Sequence, residues 1–373
     1  MAGKVQTVRG PVDPGALGTT LMHEHLFLDL RKTHLPHVLS VELPGRSEPI
    51  LTSDDFPATE LAMWEAKVGV GNLRAAKDAE PIADNYILSD EADAVAEVME
   101  FRNSGGGTVV DVTSIGLKRD PAALLRVSEA TGLHIVMGTG YYQRVYHPVD
   151  MDQRSVEDLT EVIVSDVTEG VGGSGIRSGI IGEIGVNGGP IRPNEEKSIR
   201  AAGLAALVTG APISLHRGGV GAERHQTLDI LEELGVDLER VILGHSDEIA
   251  DDMGLMLELL ERGAYIQLDL IGRDEVVRSI DVLGPEEGLG PSVTARDAEA
   301  VPMLIEAGYE DKVLLSHDVC WKTHLKRYGG FGYSFIPDRF IPHLLNMGVD
   351  ESSIETITVA NPARILACVD PRA

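Results

Sequence analysis

The chain has few cysteines, no long apolar run and a small share of positive charge. Its 373 residues include only two cysteines, Cys320 and Cys368, which are too few for a disulfide framework and are typical of a reducing compartment. The opening residues, MAGKVQTVRG, lack the apolar stretch of a signal peptide, and no segment reaches the length of a membrane span. We therefore expect a cytoplasmic protein with no membrane partner.

Basic residues are scarce. Lysine and arginine together number 32 against 59 aspartates and glutamates, which gives a formal net charge of −27. Proteins that bind nucleic acid need a basic footprint for the phosphates, so this balance predicts no nucleic-acid partner. It also disfavours other polyanionic macromolecules as substrates. A small anion held by a few local cations remains compatible with this charge, and we expect a small-molecule substrate.

One pattern recurs along the chain: a short β-branched apolar run, a polar or glycine-containing turn, and then a helical stretch. We predict strands at Thr19–His25, Thr108–Thr113, Ile135–Gly140, Gly179–Gly185, Pro212–His216, Val241–His245, Tyr265–Asp269 and Val313–Asp318. Amphipathic stretches predict helices at Ser89–Asn103, Ala122–Thr131, Glu157–Val167, Glu195–Thr209, Ala222–Leu234 and Asp252–Arg262. Eight alternating strands and helices indicate an α/β protein with a parallel sheet closed into a (β/α)₈ barrel. An open doubly wound sheet has little support, because no G-x-G-x-x-G fingerprint follows the first strand.

No boundary suggests a second domain, so we predict that residues 1–373 form one domain. Its irregular part is residues 30–86, an insertion after the first strand with prolines at five positions and a predicted helix at Thr59–Val68. An insertion there would lie over the carboxyl-terminal mouth of the barrel and act as a lid; a disordered surface loop is the alternative. Trp64, within the insertion, is a candidate wall of a hydrophobic substrate pocket.

Polar side chains interrupt the apolar strands at their carboxyl ends, where barrel enzymes build their sites. The first strand reads TTLMHEHLFL, and its two histidines are two residues apart, so both point to one face. Other strands end in SGIIGEIG, APISLHRGG, RVILGHSDE and KVLLSHDVC. The six candidate metal ligands are His23, His25, Glu183, His216, His245 and Asp318. His317 points to the opposite face of its strand, and we expect it in the core or behind the ligands.

Imidazole and carboxylate oxygen are the ligands that divalent zinc, manganese or cobalt prefer in a hydrolytic site. A single histidine at a strand end is more often a hydrogen-bonded structural residue, but six agree here in type and position. They suffice for two divalent ions, zinc first and manganese or cobalt as alternatives. Glu183 would bridge, with His23, His25 and Asp318 on one ion and His216 and His245 on the other. Asp318 would also accept the proton of an attacking, metal-bridging hydroxide.

With these residues placed, the chain resembles the phosphotriesterase-like group of the amidohydrolase superfamily over nearly its whole length. The resemblance rests on TVRGPVDPGALGTTLMHEHLF, GTGYY, IIGEIG, PISLHRG, VILGHSD, YIQLDLIG, VLLSHDVC, YGGFGYSFI and ANPARIL, in that order. It implies a distorted (β/α)₈ barrel, a binuclear metal centre on the same six residues, and a homodimer.

One position narrows the resemblance. The organophosphate-degrading and lactonase branches of the group bridge their metals with a carboxylated lysine, where this chain has Glu183. In having glutamate at this position, the chain resembles the phosphotriesterase homology and phosphotriesterase-related branches. Glutamate supplies a bridging carboxylate directly, whereas lysine must first react with carbon dioxide. Proficient phosphotriester hydrolysis is associated with the lysine branch, so we expect it here only as a side activity.

Substrate-binding candidates follow from the same resemblance and from local charge. Tyr142 matches a position where related lactonases place a tyrosine over the metals, and it would steer or protonate a leaving group or form an aromatic wall. Arg273, after the seventh strand, lies where substrate-specificity residues of the group cluster. Arg217 and Arg144 are further candidates for anchoring an anionic group, with surface ion pairs as the alternative for all three arginines.

The leading prediction is a metal-dependent hydrolase that cleaves a small carboxylic ester or lactone through a metal-bridging hydroxide. Hydrolysis of an N-acyl amino compound is the second predicted enzyme activity, and phosphotriester hydrolysis is the third. A catalytically silent barrel that acts as a binding protein is the alternative outside enzymes. That class usually loses metal ligands, and none of the six is missing here.

Overall fold

The structure is a computed structural model, and it describes residues 2–34, 57–186, 189–218, 221, 223–273 and 292–372. Its strands are β1 (Val5–Thr7), β2 (Gly10–Val12), β3 (Thr19–Glu24), β4 (Leu28–Asp29), β5 (Ile87–Leu88), β6 (Gly106–Asp111), β7 (His134–Thr139), β8 (Ile180–Gly185), β9 (Ile213–His216), β10 (Val241–Leu243), β11 (Tyr265–Leu268) and β12 (Val313–Leu315).

Eight of these strands form one parallel sheet in the order β12-β11-β10-β9-β8-β7-β6-β3. The sheet curls so that β3 and β12, its two ends, meet and nearly close a barrel. This confirms the predicted (β/α)₈ architecture and all eight predicted strands. Six of the strands are shorter than predicted at the carboxyl end. Among them, β3, β10 and β12 end at Glu24, Leu243 and Leu315, so that His25, His245 and Asp318 follow the strands.

The helices are α1 (Arg31–His34), α2 (Ala58–Trp64), α3 (Leu73–Lys77), α4 (Glu91–Asn103), α5 (Pro121–Thr131), α6 (Val156–Thr168), α7 (Pro193–Thr209), α8 (Glu223–Glu233), α9 (Met253–Glu261), α10 (Val293–Glu306), α11 (Ile341–Asn346), α12 (Glu351–Glu355) and α13 (Asn361–Leu366). Local chemistry sets several starts. The Asp90 carboxylate accepts the N–H groups of Ala92 and Asp93 before α4, and Ser155 and Asp158 form a capping box before α6. The six predicted helices between strands are confirmed within about two residues at each end.

The core lies between the strands and the helices that cover them. Each barrel strand is lined by buried Val, Ile and Leu, and the inner faces of the helices add further buried apolar side chains. This surrounding layer holds the carboxyl ends of the strands in fixed register. Over the described residues, no helix is both long and apolar enough to span a membrane.

The insertion is fastened at both of its ends. Strand β4 precedes it and pairs antiparallel with β5, which follows it, through Leu28↔Leu88 and Asp29↔Ile87. The helix predicted at Thr59–Val68 is observed as α2, and it ends four residues earlier, at Trp64. Residues 35–56 of the insertion lie outside the described residues, so the predicted lid remains a prediction.

Candidate metal centre

The six predicted metal ligands converge at the carboxyl end of the barrel, and all are buried. The Glu183 carboxylate, on β8, lies at the middle of the group. Its Oε1 atom is 3.3 Å from Nε2 of His23, 3.3 Å from Nε2 of His245 and 3.8 Å from Nε2 of His216. Its Oε2 atom is 3.7 Å from Nε2 of His25. One carboxylate therefore faces four imidazole nitrogens from four directions.

Asp318 completes the group on the side of the first strand. Its Oδ1 atom lies 3.2 Å from Nε2 of His25 and 3.9 Å from Nε2 of His23. Both Asp318 and His245 have a left-handed backbone with φ of +48°. Such a conformation costs a non-glycine residue roughly 1–3 kcal/mol and is typical of functional sites.

The donor atoms form two overlapping triads. His23, Glu183 and His245 make one and His23, His25 and Asp318 the other, and within each triad the ligand atoms lie within 4.8 Å of one another. Nε2 of His23, which both triads share, is buried and has no hydrogen-bond partner among the described residues. Imidazole nitrogen and carboxylate oxygen arranged in this way fit divalent transition metals. The residues present therefore fit a divalent metal ion, and the second triad matches one predicted ligand set. The first triad joins His245 to His23, and His216, which the sequence predicts as a ligand beside His245, belongs to neither triad.

The charge balance of the cluster favours added positive charge. Burial lowers the pKa of His23, but Asp269 and Glu183 outweigh burial and raise that pKa well above its usual value. The same competition between burial and Asp269 raises the pKa of His245 to about 10. For Glu183, burial is outweighed by His216 and His23, and its pKa lies well below the usual value. The carboxylates thus attract cations strongly, and divalent ions would supply that charge in place of protons.

His216 differs from the other histidines. Its burial outweighs the attraction of Glu183 and lowers its pKa well below the usual value. The neutral form of imidazole is the one that binds metal. Nδ1 of His216 lies 3.4 Å from the side-chain nitrogen of Gln143 and leaves Nε2 turned towards Glu183.

Asp269 is a residue of this site that the sequence interpretation missed. It follows β11, and its Oδ1 atom accepts a hydrogen bond from Nδ1 of His245 at 2.6 Å. Its Oδ2 atom lies 3.0 Å from Nδ1 of His23 and accepts a hydrogen bond from Gln267 at 2.7 Å. A signal existed, because Asp269 is a polar residue at a predicted strand end like the six ligands. Its role is to orient two of those ligands.

Tyr142 lies against the cluster. Its ring meets the His216 ring edge to face with 4.8 Å between the centroids, and its side chain is buried. Burial, with Glu183 and Asp318 adding to it, raises the pKa of Tyr142 well above its usual value, so the phenol keeps its proton. Nε2 of His147 donates a hydrogen bond to the backbone carbonyl of Tyr142 at 2.8 Å and thereby anchors this part of the loop.

Among the arginine candidates, Arg273 is the one that reaches the cluster. Its guanidinium donates to Oδ2 of Asp318, and its Cζ atom lies 5.7 Å from the centroid of the Trp321 ring. Burial of Asp318 is outweighed by Arg273 and by a hydrogen bond from His25, which together lower its pKa to about 2. The contact with Arg273 therefore favours the ionised form of Asp318.

The other substrate-binding candidates lie farther out. Arg217 follows His216 and forms an ion pair with Glu248 at 2.8 Å. This matches the alternative prediction for Arg217, a surface ion pair, better than the binding of a substrate anion. Arg144 is exposed on the loop after Tyr142. Trp64 packs on Tyr86, with ring centroids 6.5 Å apart, and Tyr86 in turn contacts Trp321 at 5.4 Å. Trp64 thus supports the aromatic layer beneath Arg273, and its contact with a substrate remains a prediction.

Comparison with known proteins decides the family. The sequence profile of the phosphotriesterase family matches residues 3–366. The chain belongs to the phosphotriesterase family. An N-acetyltaurine hydrolase of Tetraodon nigroviridis is 35% identical over 363 residues, 97% of each chain. Among solved structures, a resiniferatoxin-binding protein of Rhodobacter sphaeroides has a TM-score of 0.83 and 35% identity, covering 99% of this chain and 97% of its own.

A second solved structure is of a family member whose active site holds a ligand. The phosphotriesterase homology protein of Escherichia coli, complexed with phosphate in its active site, is 28% identical with a TM-score of 0.72, and the match covers 94% of this chain and 99% of its own. The phosphotriesterase family assignment confirms the resemblance drawn from the sequence. The chain is a metal-dependent hydrolase of this family, with candidate metal-binding clusters at the expected place.

Proposed function

We propose that this hydrolase contains a binuclear metal centre and cleaves small N-acyl amines whose amine portion carries an acidic group. The observation that carries the proposal is the contact between Arg273 and Asp318, which places a cation at the edge of the candidate metal centre. The name N-acetyltaurine hydrolase, borne by a relative that matches over 97% of both chains, supports the same substrate class. Taurine is an aminosulfonate, so such a substrate has one amide bond and one anionic end.

His23, His25 and Asp318 would hold one ion, His216 and His245 the other, and Glu183 would lie between them. Zinc is the first candidate, with manganese and cobalt as alternatives. Two divalent ions bound there would activate a water molecule and polarise the carbonyl group of the substrate. The remaining steps belong to side chains of the protein.

Asp318 would move the proton. As the water oxygen bonds to the carbonyl carbon, the water gives up a proton, which Oδ2 or Oδ1 of Asp318 receives. The carbon–nitrogen bond then breaks, and the leaving amine nitrogen takes that proton. The products are an amine and a carboxylic acid, which releases the second proton of the water to become a carboxylate. Arg273 supports this role by keeping Asp318 ionised before the reaction begins. Tyr142 keeps its O–H proton and is a second group able to donate to the leaving nitrogen.

Arg273 would also bind the acidic end of the substrate. Guanidinium groups suit sulfonate and carboxylate oxygens, because their N–H donors lie in one plane. In a protein with a net charge of −27, a local cation is needed to hold an anion near six buried ligands. The Trp321 ring lies beneath the guanidinium, with its centroid 5.7 Å from Cζ of Arg273, and limits the motion of that group.

Carboxylic esters and lactones, which the sequence favours as substrates, require the same carbonyl chemistry. A neutral lactone, however, gives Arg273 nothing to bind, so we place acidic N-acyl amines first. Phosphotriesters come third because Glu183 stands where the phosphotriester-degrading branch has a carboxylated lysine.

The test is a comparison of kcat/KM for the zinc-, manganese- and cobalt-loaded protein. The substrates are N-acetyltaurine, N-acetyl amino acids, neutral N-acetyl amines, aryl esters, lactones and a phosphotriester. We expect the acidic N-acetyl compounds to be turned over best and activity to vanish on chelation. A clear preference for lactones or neutral amides would overturn the proposed substrate class, and full activity after chelation would overturn the metal-dependent mechanism.

A further inference from the structure

The seam between the first and last barrel strands is closed by a side chain. Strands β3 and β12 stand at the two ends of the sheet order and do not pair as a ladder. One backbone hydrogen bond crosses beyond them, from the N–H of Asp318 to the carbonyl of His23 at 3.0 Å. Four further hydrogen bonds of the seam converge on the carboxylate of Glu24, the residue between the candidate metal ligands His23 and His25.

Glu24 is fully buried and faces away from the candidate metal centre. Its Oε1 atom accepts hydrogen bonds from the Ser316 hydroxyl at 2.8 Å, from the His317 backbone N–H at 2.9 Å and from Nδ1 of His317 at 2.8 Å. Its Oε2 atom accepts the backbone N–H of Val319 at 2.9 Å. All four donors come from residues 316–319, the segment that carries Asp318.

Two further bonds tie this network to the metal ligands. The Ser316 hydroxyl accepts the backbone N–H of His23 at 2.8 Å, so one oxygen links Glu24 to the strand that carries it. Nε2 of His317 accepts the backbone N–H of Ile336 at 3.0 Å, which leaves Nδ1 as the nitrogen that donates to Glu24. The expected position of His317, behind the ligands and away from them, agrees with this arrangement.

We propose that Glu24 is a positioning residue that sets the distance between the His23–His25 pair and Asp318, and so controls binding of one of the two metal ions. The inference rests on the proposed binuclear centre. Glu24 takes the place of the missing ladder at the junction between β3, which carries His23 and is followed by His25, and the segment after β12, which carries Asp318. His216 and His245 lie on β9 and after β10, which pair by a regular parallel ladder, and they do not depend on this seam.

The hydrogen-bond donors around Glu24 require a carboxylate at this position. Four donors point at the two oxygens of Glu24, and a glutamine would turn an NH₂ group towards at least one of those donors. A buried donor without a partner is costly, and the segment 316–319 would move away to relieve it. Asp318 would move with that segment, whereas the ligands on β8, β9 and after β10 would stay.

The experiment compares metal content and manganese EPR of the full-length wild type and Glu24→Gln after loading and dialysis against a weak chelator. We expect wild type to keep two ions per chain with a coupled manganese pair. Glu24→Gln should keep one ion with an uncoupled signal, and its affinity for the second ion should be roughly 10–100-fold weaker. Asp166→Asn is the matched control, because that buried carboxylate binds Arg119 and Thr139 on the outer layer; it should keep both ions.

Two variants at His317 distinguish a specific effect on the position of Asp318 from a general loss of folding. They also test the inference if Glu24→Gln does not fold. His317→Asn retains a side-chain N–H near the position of Nδ1 and should keep the wild-type metal content. His317→Leu removes that donor and should lose the same single ion. Two tightly bound ions in both Glu24→Gln and His317→Leu, or loss of both ions together, would overturn the inference. A wild type with fewer than two ions would instead overturn the binuclear centre, and this inference with it.

Discussion

The carboxylate of Asp269 joins His245 to His23. One oxygen accepts the Nδ1 proton of His245 at 2.6 Å, and the other lies 3.0 Å from Nδ1 of His23. These histidines are assigned to different metal ions in the proposed centre, so one carboxylate orients a ligand of each. A histidine held at Nδ1 presents Nε2 with a fixed ring orientation.

Replacing Asp269 should therefore weaken both metal sites together. In Asp269→Asn, the amide is a poorer acceptor for the two Nδ1 atoms, and we expect metal affinity to fall by roughly 10–100-fold. Competition with a chromophoric chelator measures both affinities. The control is Asp166→Asn, whose carboxylate contacts neither histidine. Loss of only one ion from Asp269→Asn would contradict the shared role of Asp269.

Asp318 has a double role in the proposal, as a ligand and as a proton acceptor. In Asp318→Asn the amide oxygen still binds a cation, but the side chain no longer accepts a proton. We expect kcat to fall by roughly 10²–10⁴-fold while the metal content stays near that of wild type. The measurement is kcat on the best substrate together with metal analysis of the same sample. A metal-replete variant with the wild-type rate would exclude Asp318 from proton transfer.

Arg273 should control the preference for acidic substrates. In Arg273→Met the guanidinium is lost, and kcat/KM for an acidic N-acetyl amine should fall by roughly 10–100-fold relative to a neutral N-acetyl amine of similar size. The ratio between the two substrates removes any effect of Arg273 on Asp318, because both reactions share that residue. Arg273→Lys keeps the charge without the planar fork and should lie between the two proteins. An unchanged ratio in Arg273→Met would remove this residue from substrate recognition.

The sequence predicts most of the barrel and the meeting of the six candidate ligands for a physical reason. Strand patterns and strand-end polar residues are local, and the carboxyl ends of parallel strands must meet at one face. Asp269 shares that local signal, but its contact with His245 depends on the register of β10 and β11, where Leu243 stands opposite Ile266. Such register is a non-local property that alternating side chains alone do not specify.

Two other features lie beyond local patterns. Glu24 lies on the opposite face of its strand from His23 and His25, and its burial depends on residues 316–319, almost three hundred positions away in the sequence. No local pattern predicts that partner. Helix α10 was not predicted, and Pro302 lies inside it. Proline normally ends a helix, and packing of the buried face of α10 against the barrel outweighs that preference here.

A buried carboxyl pair, formed by Asp297 of α10 and Asp247 of the turn after β10, makes stability depend on pH. Asp297 lies beside Asp247, and both are fully buried. Asp247 accepts the backbone N–H groups of Asp269 and Leu270, each at 3.0 Å, so it is the member that ionises. Burial first and Asp269 second raise the pKa of Asp247 to about 6, while burial and Asp247 raise the pKa of Asp297 well above its usual value. The folded pair therefore holds at least one proton at neutral pH that the unfolded chain has released.

Because both folded pKa values are raised, the pair contributes its full stability below the unfolded pKa of about 4 and loses it as pH rises. Asp297→Asn removes the shared proton but keeps a donor towards Asp247. Between pH 5 and 8, the free energy of unfolding of wild type should fall more steeply than that of Asp297→Asn, by roughly 1.4 kcal/mol per pH unit for each proton held. Urea unfolding across this range measures the difference in slope.

The control for that slope is Thr294→Val on the same helix. The Thr294 hydroxyl accepts the backbone N–H of Gly272 at 2.9 Å and carries no titrating proton. Its loss should lower the free energy of unfolding by a similar amount at every pH, so the curve should run parallel to that of wild type. If the Asp297→Asn curve also ran parallel to wild type, Asp297 would be ionised in the folded protein. The burial of two charges side by side would then require a cation or a water molecule between them, because an unpaired carboxylate in this position is too costly to retain.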